Sequence, residues 1–233
     1  PPHDHLGQKV TELLPTEKLF RDMMEKSFDI LNNHPLNIER AKKGLNKANS
    51  LWFWGAGTKP KLDPFEAKTG KKGAMISAAD LLKGIAVGAG MKVIEVEGAT
   101  GSLHTNYEGK AEAAIEALKK NDFVFLHIEA SDEAGHEGDV DLKVKTIEYL
   151  DSRIVKPIYE EVSKWDEPVS IAILPDHPTP CAIKTHTASA IPFIIYNPEA
   201  EADKVEVYNE FSVKEGSYGI LNEDEFIKSF LKK

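Results

Sequence analysis

The sequence predicts an α/β fold: a mainly parallel sheet with helices on both faces. Three observations lead there. From residue 50 onward, helical and strand-like segments alternate, the pattern of strands joined by crossover helices. Apolar residues make up 41% and charged residues 29% of the chain, as in an ordinary globular protein. At 233 residues it can enclose one sizeable domain, or one domain plus part of another.

Taken in order, residues 15–34 read as an amphipathic helix, with Leu19, Met23, Ile30 and Leu31 near helical spacing. Thr16 is its expected cap and Glu17 lies in the expected first turn. The segment "HPLNIERAKKGLNKAN" is basic and Asn-rich, and "SLWFWGAG" is an aromatic, strand-like run ending in a glycine turn. The change of character near Asn49 sets the expected domain boundary, 1–49 and 50–233. Ile76–Ala89 reads as a helix, Lys92–Val96 as a strand and Asn106–Lys120 as a helix rich in Ala, Glu and Lys. "DFVFLHI" reads as a strand, Leu142–Lys164 as a long helix, and "VSIAIL", "IPFIIY" and "KVEVY" as strands. "EDEFIKSFLKK" closes the chain as a helix, and no internal repeat or low-complexity segment is present.

The net charge of -9 and the pI near 5.4 argue against nucleic-acid or anionic-membrane partners, while leaving room for a small positive pocket that takes an anionic metabolite. Cys181 is the only cysteine, so no internal disulfide forms and a reducing cytoplasm is the simpler compartment. No apolar stretch reaches the roughly 18 residues of a membrane span, and no signal-peptide pattern opens the chain. The opening "PPHDHLGQKV" has no initiator Met and reads as the middle of a longer protein.

In parallel sheets, functional groups gather beyond the carboxyl ends of the strands. "DFVFLHI" empties into Glu129, Asp132, Glu133 and His136, and "VSIAIL" empties into Asp176 and His177, with His186 nine residues further on. If those two strands are neighbours, both acid-histidine groups leave the sheet at one edge. Carboxylate oxygen and imidazole nitrogen are ligands for zinc, manganese and related divalent ions, and two aspartates with three histidines supply most of two such sites. Taken singly, each feature has a plainer meaning. Asp132 and Glu133 suit a solvated turn or a helix N-terminus, His136 a surface position, and Asp176-His177 a turn. The repetition of Asp plus His after two apolar strands, in a chain with eight histidines, favours metal. There is no Walker-type phosphate loop and no dinucleotide fingerprint. "EGATG" at 97–101 reads as a tight turn, and Cys181 as a packed small residue.

The stretches "DFVFLHIEASDEAGHEGDVDLKVKTIEYLD", "ILPDHPTPCAIKTHTASAIPFIIY" and "EVEGATGSLHTNYEGKAEAAIEAL" resemble the cofactor-independent phosphoglycerate mutases of the archaeal type, within the alkaline phosphatase superfamily. "PPHDHLGQ" and "HPLNIERAKKG" fit as well, so the resemblance covers essentially the whole chain. It implies an alkaline-phosphatase-like α/β domain interrupted by a smaller inserted α/β domain. Residues 1–49 would be the tail of that insertion and 50–233 the returning phosphatase-like domain. It further implies two divalent ions, manganese first, with zinc, cobalt or magnesium as alternatives. A serine would carry the phosphoryl group between the hydroxyls of glycerate, interconverting 3- and 2-phosphoglycerate in glycolysis and gluconeogenesis. By the same resemblance Asp132, His136 and His186 bind one metal and Asp176 and His177 the second.

In that family the nucleophilic serine and a further metal-binding aspartate come from a segment N-terminal to the insertion. Ser77, Ser102, Ser131 and Ser189 match no such position, so the chain alone is expected to be inactive. Candidate substrate contacts are His3, Asp4, Arg40 and Lys110, all within family-like wording. Arg40 suits bidentate binding of a carboxylate or phosphate but equally a solvated helix charge, and Lys110 on its Ala/Glu helix suits a plain surface position. Two other functions fit the residues: a phosphatase or phosphonate hydrolase of the same superfamily, and a non-catalytic metal-stabilised binding domain.

Overall fold

A computed structural model describes residue 5 and residues 7–231 of the chain. The chain divides into two compact units, Pro1–Pro60 and Lys61–Lys233. The segment that follows the expected boundary at Asn49 is bound to the first helix. In the first unit α1 (Lys18–Asn32) is followed by α2 (Pro35–Lys42). Ser27 Oγ accepts from Leu51 N–H at 2.9 Å, and Phe53 stacks on Phe20 with ring centroids 5.4 Å apart. "SLWFWGAG" therefore runs along α1 and forms no strand. Thr16 does not cap α1; Glu17 holds the cap position without a side-chain hydrogen bond.

The basic stretch is helical as α2. Pro35 starts it, where a missing N–H costs nothing, and His34 Nδ1 accepts from Leu36 N–H at 3.3 Å. Buried Asn37 ties the unit together. Its amide donates to the carbonyls of Leu31 and Ala48, each at 2.8 Å, and accepts from Ala48 N–H at 2.8 Å.

The second unit begins with α3 (Phe65–Thr69), β1 (Gly73–Ile76), α4 (Asp80–Gly88) and β2 (Lys92–Val93). It continues with α5 (Tyr107–Leu118), β3 (Phe123–Leu126), α6 (Ala130–Glu137) and α7 (Val140–Leu150). Last come α8 (Lys156–Val162), β4 (Ile171–Ile173), β5 (Ile194–Tyr196) and α9 (Glu225–Leu231). The fold is mixed α/β with a parallel sheet and helices, as expected. Its three-stranded sheet has the order β2-β1-β3, parallel throughout.

The central strand β1 lies where the sequence suggests the start of a helix at Ile76. Gly73, Ala74 and Met75 carry no β-branched side chain, and Ala74, Met75 and Ile76 are all buried. A short strand covered on both faces shows no alternation to read. The register pairs Gly73 with Phe123 and Ile76 with Leu126, so β1 and β3 end level, at Ser77 and His127.

One expectation fails in an informative way. β4 is not a neighbour of β3; it pairs antiparallel with β5 in a separate two-stranded sheet. "KVEVY" forms no strand. Instead the Tyr208 hydroxyl lies 3.3 Å from the Ile173 carbonyl and 3.1 Å from that of Pro192, clasping the small sheet, and burial pushes its phenol up to about 12.

The long helix expected at 142–164 is continuous but not regular: a π-helical turn at Asp151–Val155 separates α7 from α8. Pro157, in the first turn of α8, has no N–H for the α ladder, and a π turn is one way a helix absorbs the lost bond. That turn presents Arg153 to Tyr107 and Tyr149, with its guanidinium 4.5 and 4.9 Å from the two ring centroids. Arg153 also grips both oxygens of Glu108 at 2.6 and 2.7 Å. Below lies the core of Tyr107, Ala111, Ala130 and Ile154, with Leu126 and Ile128 against it.

Removing the clasp tests its contribution. Tyr208→Phe is expected to lower unfolding free energy by about 1 kcal/mol, the usual net worth of one hydrogen bond, as read from urea denaturation. An unchanged midpoint would show that the clasp adds nothing.

Candidate metal centre

The chain leaves β3 at His127 and Glu129 and turns at once into α6. Asp132 lies in its first turn, where the positive end of the helix favours a carboxylate. His136 follows four residues later on the same face. Gly138, left-handed at φ 77°, ends the helix, and Asp139 caps α7 by accepting from Leu142 N–H at 2.9 Å. The acidic stretch after β3 is thus a helix with Asp132 and His136 on one face, and its N-terminus is where Asp132 and Glu133 sit.

The partner segment is the irregular stretch from Asp176 to His186. It reaches α6 through a close approach at Gly135, where a Cβ would collide with the Thr179 carbonyl oxygen and lie 3.0 Å from Thr179 Cβ. Lys143 on α7 fixes the same carbonyl, donating to it at 2.5 Å. His136 Nε2 lies 3.3 Å from Asp132 Oδ2 and 3.0 Å from His186 Nε2, while His186 Nε2 lies 3.5 Å from Asp132 Oδ1.

Ligand atoms about 2.1 Å from one ion lie roughly 3.0 Å apart in an octahedral site and roughly 3.4 Å apart in a tetrahedral one. The observed 3.0–3.5 Å separations match that range. The outer contacts match as well. His136 Nδ1 is 3.0 Å from the Lys184 carbonyl oxygen, which can only accept, so Nδ1 carries the proton and Nε2 presents its lone pair to the cluster. Asp132, His136 and His186 therefore fit a divalent cation.

Asp176 and His177 stand beside this triad. His177 Nε2 is 3.4 Å from Asp176 Oδ2 and its Nδ1 is 4.0 Å from Asp132 Oδ1. The His177 and His186 rings lie against each other at a tilt of 32°, with centroids 3.7 Å apart. All five expected ligands thus gather in one place, although they come from a helix and a loop and not from two adjacent parallel strands. As a separate site Asp176 and His177 offer two donors, fewer than the three protein ligands usual for such ions.

The expected substrate contacts are placed differently. Arg40 is exposed in the last turn of α2, its Nε donating to the Asn46 carbonyl at 2.7 Å. Lys110 is fully buried, not a surface residue: its ammonium donates to the Thr100 carbonyl at 3.3 Å, and burial lowers its pKa against the pull of Glu129. His3 and Asp4 lie outside the described residues. Ser77 is buried, 3.3 Å from His127 Nδ1 and accepting from Ala79 N–H. Ser102 pairs with Thr100 at 3.1 Å, Ser131 lies in the first turn of α6 and Ser189 is exposed.

Several residues at the centre carry no mark in a linear reading. Thr179 donates to Asp132 Oδ1 and lies 3.2 Å from His177 Nδ1. Lys184 contributes only its carbonyl. The "EGATG" turn packs Gly101 against Glu129, a closeness that the glycines hint at. His127 is legible only as part of the strand "DFVFLHI".

An α/β scaffold carrying a carboxylate-imidazole triad after a parallel strand is the arrangement that metal-binding proteins use. Residues 16–226 match the sequence profile of the metalloenzyme superfamily, and the chain belongs to that superfamily. It is 52% identical, over its whole length, to the 2,3-bisphosphoglycerate-independent phosphoglycerate mutase of Methanosarcina mazei, of which it covers 59%. A solved Pyrococcus horikoshii protein aligns with 87% of the chain at a TM-score of 0.76 and 35% identity, the chain covering 52% of it. The cofactor-independent phosphoglycerate mutase of Thermoplasma acidophilum aligns with 86% of the chain at a TM-score of 0.54 and 27% identity, the chain covering 47% of it. The chain thus spans between about half and three fifths of the length of the proteins it matches.

Burial holds the His127 imidazole below its ordinary value, with Glu129 and Asp176 opposing. A depressed imidazole favours the native state at pH above the unfolded value of about 6.5, and that contribution is lost as pH falls towards the folded value. The urea midpoint of the wild type is therefore expected to fall between about pH 7 and pH 5, and His127→Asn to fall less over that interval. Parallel pH profiles for the two proteins would exclude His127 as the source.

Proposed function

We propose that this chain provides most of the metal centre of a phosphoglycerate mutase that interconverts 3- and 2-phosphoglycerate through a phosphoserine intermediate. The observation that carries the reading is the Asp132-His136-His186 triad, its His136 tautomer set by the Lys184 carbonyl. The likeness to the Methanosarcina mazei mutase over the whole chain supports it. Asp132, His136 and His186 hold one divalent ion, and Asp176 and His177 begin the site of a second, with manganese the ion proposed. Bound there, such ions would neutralise phosphate oxygens and lower the pKa of an attacking hydroxyl group.

The chain's own groups set the stage for that chemistry. His136 and His177 are aimed by hydrogen bonds to their Nδ1 atoms, and Asp132 is held by Thr179. We assign neither Ser77, buried beside His127, nor Ser102, paired with Thr100, as the nucleophile. We place the nucleophilic serine, and the remaining aspartate ligand, in the part of the relatives that this chain does not cover. Residues 1–49 then belong to an inserted substrate-binding domain and 50–233 to the phosphatase-like domain. For the anionic substrate we retain Arg40, Lys110, His3 and Asp4 as the contacts to test. Among the described residues no helix is long and apolar enough to cross a membrane, and a cytoplasmic place in glycolysis and gluconeogenesis is the setting proposed.

With Mn2+ and 3-phosphoglycerate, protein extended to the relatives' full length is expected to yield 2-phosphoglycerate, and this chain alone to yield none. Free phosphate as the main product would replace the mutase reading with a hydrolase. Robust turnover by this chain would overturn the placement of the serine. Elemental analysis after loading with Mn2+ is expected to show metal lost in both His136→Ala and Asp176→Ala, and unchanged stoichiometry in both would reject the ligand assignment.

A further inference from the structure

We propose that Thr179 is the positioning residue that joins the two halves of the metal centre, orienting Asp132 on one side and fixing the Nδ1–H tautomer of His177 on the other. This rests on the reading of the site as a metal centre.

The argument follows from counting protons. The Thr179 hydroxyl donates to Asp132 Oδ1, and an ionised carboxylate can only accept. That bond uses the single hydroxyl proton. Thr179 Oγ1 is also 3.2 Å from His177 Nδ1, so towards the imidazole it can only accept, and Nδ1 must carry a hydrogen. Neutral His177 then has its lone pair on Nε2, which lies 3.4 Å from Asp176 Oδ2. Two electron-rich atoms facing each other in this way are the arrangement a shared cation satisfies. His136 reaches the same state by another route, through the Lys184 carbonyl. Both imidazoles are thus presented by Nε2, one set by a backbone carbonyl and the other by a side-chain hydroxyl.

Thr179 is well placed for this task. It is 3% exposed, so water does not compete for its hydroxyl. Its carbonyl is held by Lys143 at 2.5 Å, and Gly135 lets α6 come down on it without an intervening side chain. Asp132 belongs to the proposed first site and His177 to the second, and one buried oxygen touches both.

Thr179→Val keeps the shape and removes the hydroxyl, while Thr179→Ser restores it. In metal-free protein near pH 8, where a free imidazole is neutral, long-range proton–nitrogen NMR spectra are expected to show His177 as Nδ1–H in the wild type and in Thr179→Ser. In Thr179→Val the Nε2–H form is expected to appear. Titration with Mn2+ is expected to show affinity about 10- to 100-fold weaker in Thr179→Val and recovery in Thr179→Ser. An unchanged tautomer with wild-type Mn2+ affinity in Thr179→Val would overturn the proposal, as would failure of Thr179→Ser to restore both. A wild type that binds no Mn2+ would defeat the metal reading itself, and the imidazole spectra of the metal-free proteins would then judge the hydrogen-bond assignment independently.

Discussion

The metal centre depends on one close contact, the approach of α6 to the segment 176–186 at Gly135 and Thr179. Asp132 and His136 ride on the helix; Asp176, His177, Thr179 and His186 ride on the segment. The sheet does not bring these two groups together, because β4 pairs with β5 and not with β3. What joins them is backbone against backbone where a side chain would not fit. Interiors are packed like crystals and do not stretch to admit a methyl group. A residue larger than glycine at 135 would therefore push the helix off Thr179 and break the Asp132–Thr179 bond along with the imidazole arrangement. Gly138 is required for a different reason, its left-handed φ of 77° at the end of the helix.

The position of α6 is in turn inherited from the parallel pair of β1 and β3. Their register brings Ser77 and His127 level at one edge, and His127 N–H continues the ladder to the Ile76 carbonyl at 2.9 Å. α5 covers that pair with its small-residue face, Ala111, Ala114 and Ala117, and Arg153 locks α5 to the π turn. The lock is more than its ion pair. Glu108 is largely solvated and its pairing is worth little alone, but a guanidinium over two aromatic rings adds stacking that solvent does not screen away. The same helix also carries costs. Lys110 is buried with its ammonium on the Thr100 carbonyl, and the buried Tyr107 hydroxyl has no hydrogen-bond partner among the described residues. An unsatisfied buried group forfeits about 1–3 kcal/mol, a cost that the ring contacts of Tyr107 with Tyr149 and Arg153 oppose.

Much of this was legible from the residues, and the exceptions have physical causes. The Asp132/His136 spacing and the Asp176-His177 pair are local, and the chemistry of their side chains names the ligand class before any coordinates. α5, β3 and α9 follow from periodicity. β1 was hidden because a strand buried on both faces and built of Gly, Ala and Met has neither alternation nor β-branching. α2 was hidden because its face is held by polar Asn37 rather than by an apolar stripe. "KVEVY" alternates like a strand but is used as a clasp through Tyr208. The geometry that makes the ligands a site was not legible, since it resides in a carbonyl, a hydroxyl and a missing side chain. Lys184 O, Thr179 Oγ1 and Gly135 have no linear pattern that separates them from their neighbours.

Electrostatics gives these small contacts their consequence. The chain carries a net charge of -9, which on balance repels an approaching anion. Screening limits that repulsion to about 8 Å at physiological ionic strength, so what decides binding is the charge within one Debye length of the site. Asp132 alone makes the triad of ligands negative. A divalent ion held by Asp132 and two neutral imidazoles turns that same point to +1, because histidine supplies donors without adding negative charge. His136 can do so only with Nε2 free, which is what the Lys184 carbonyl at its Nδ1 secures. In an acidic protein the hydrogen bonds that choose a tautomer therefore also choose whether the site repels or attracts an anion.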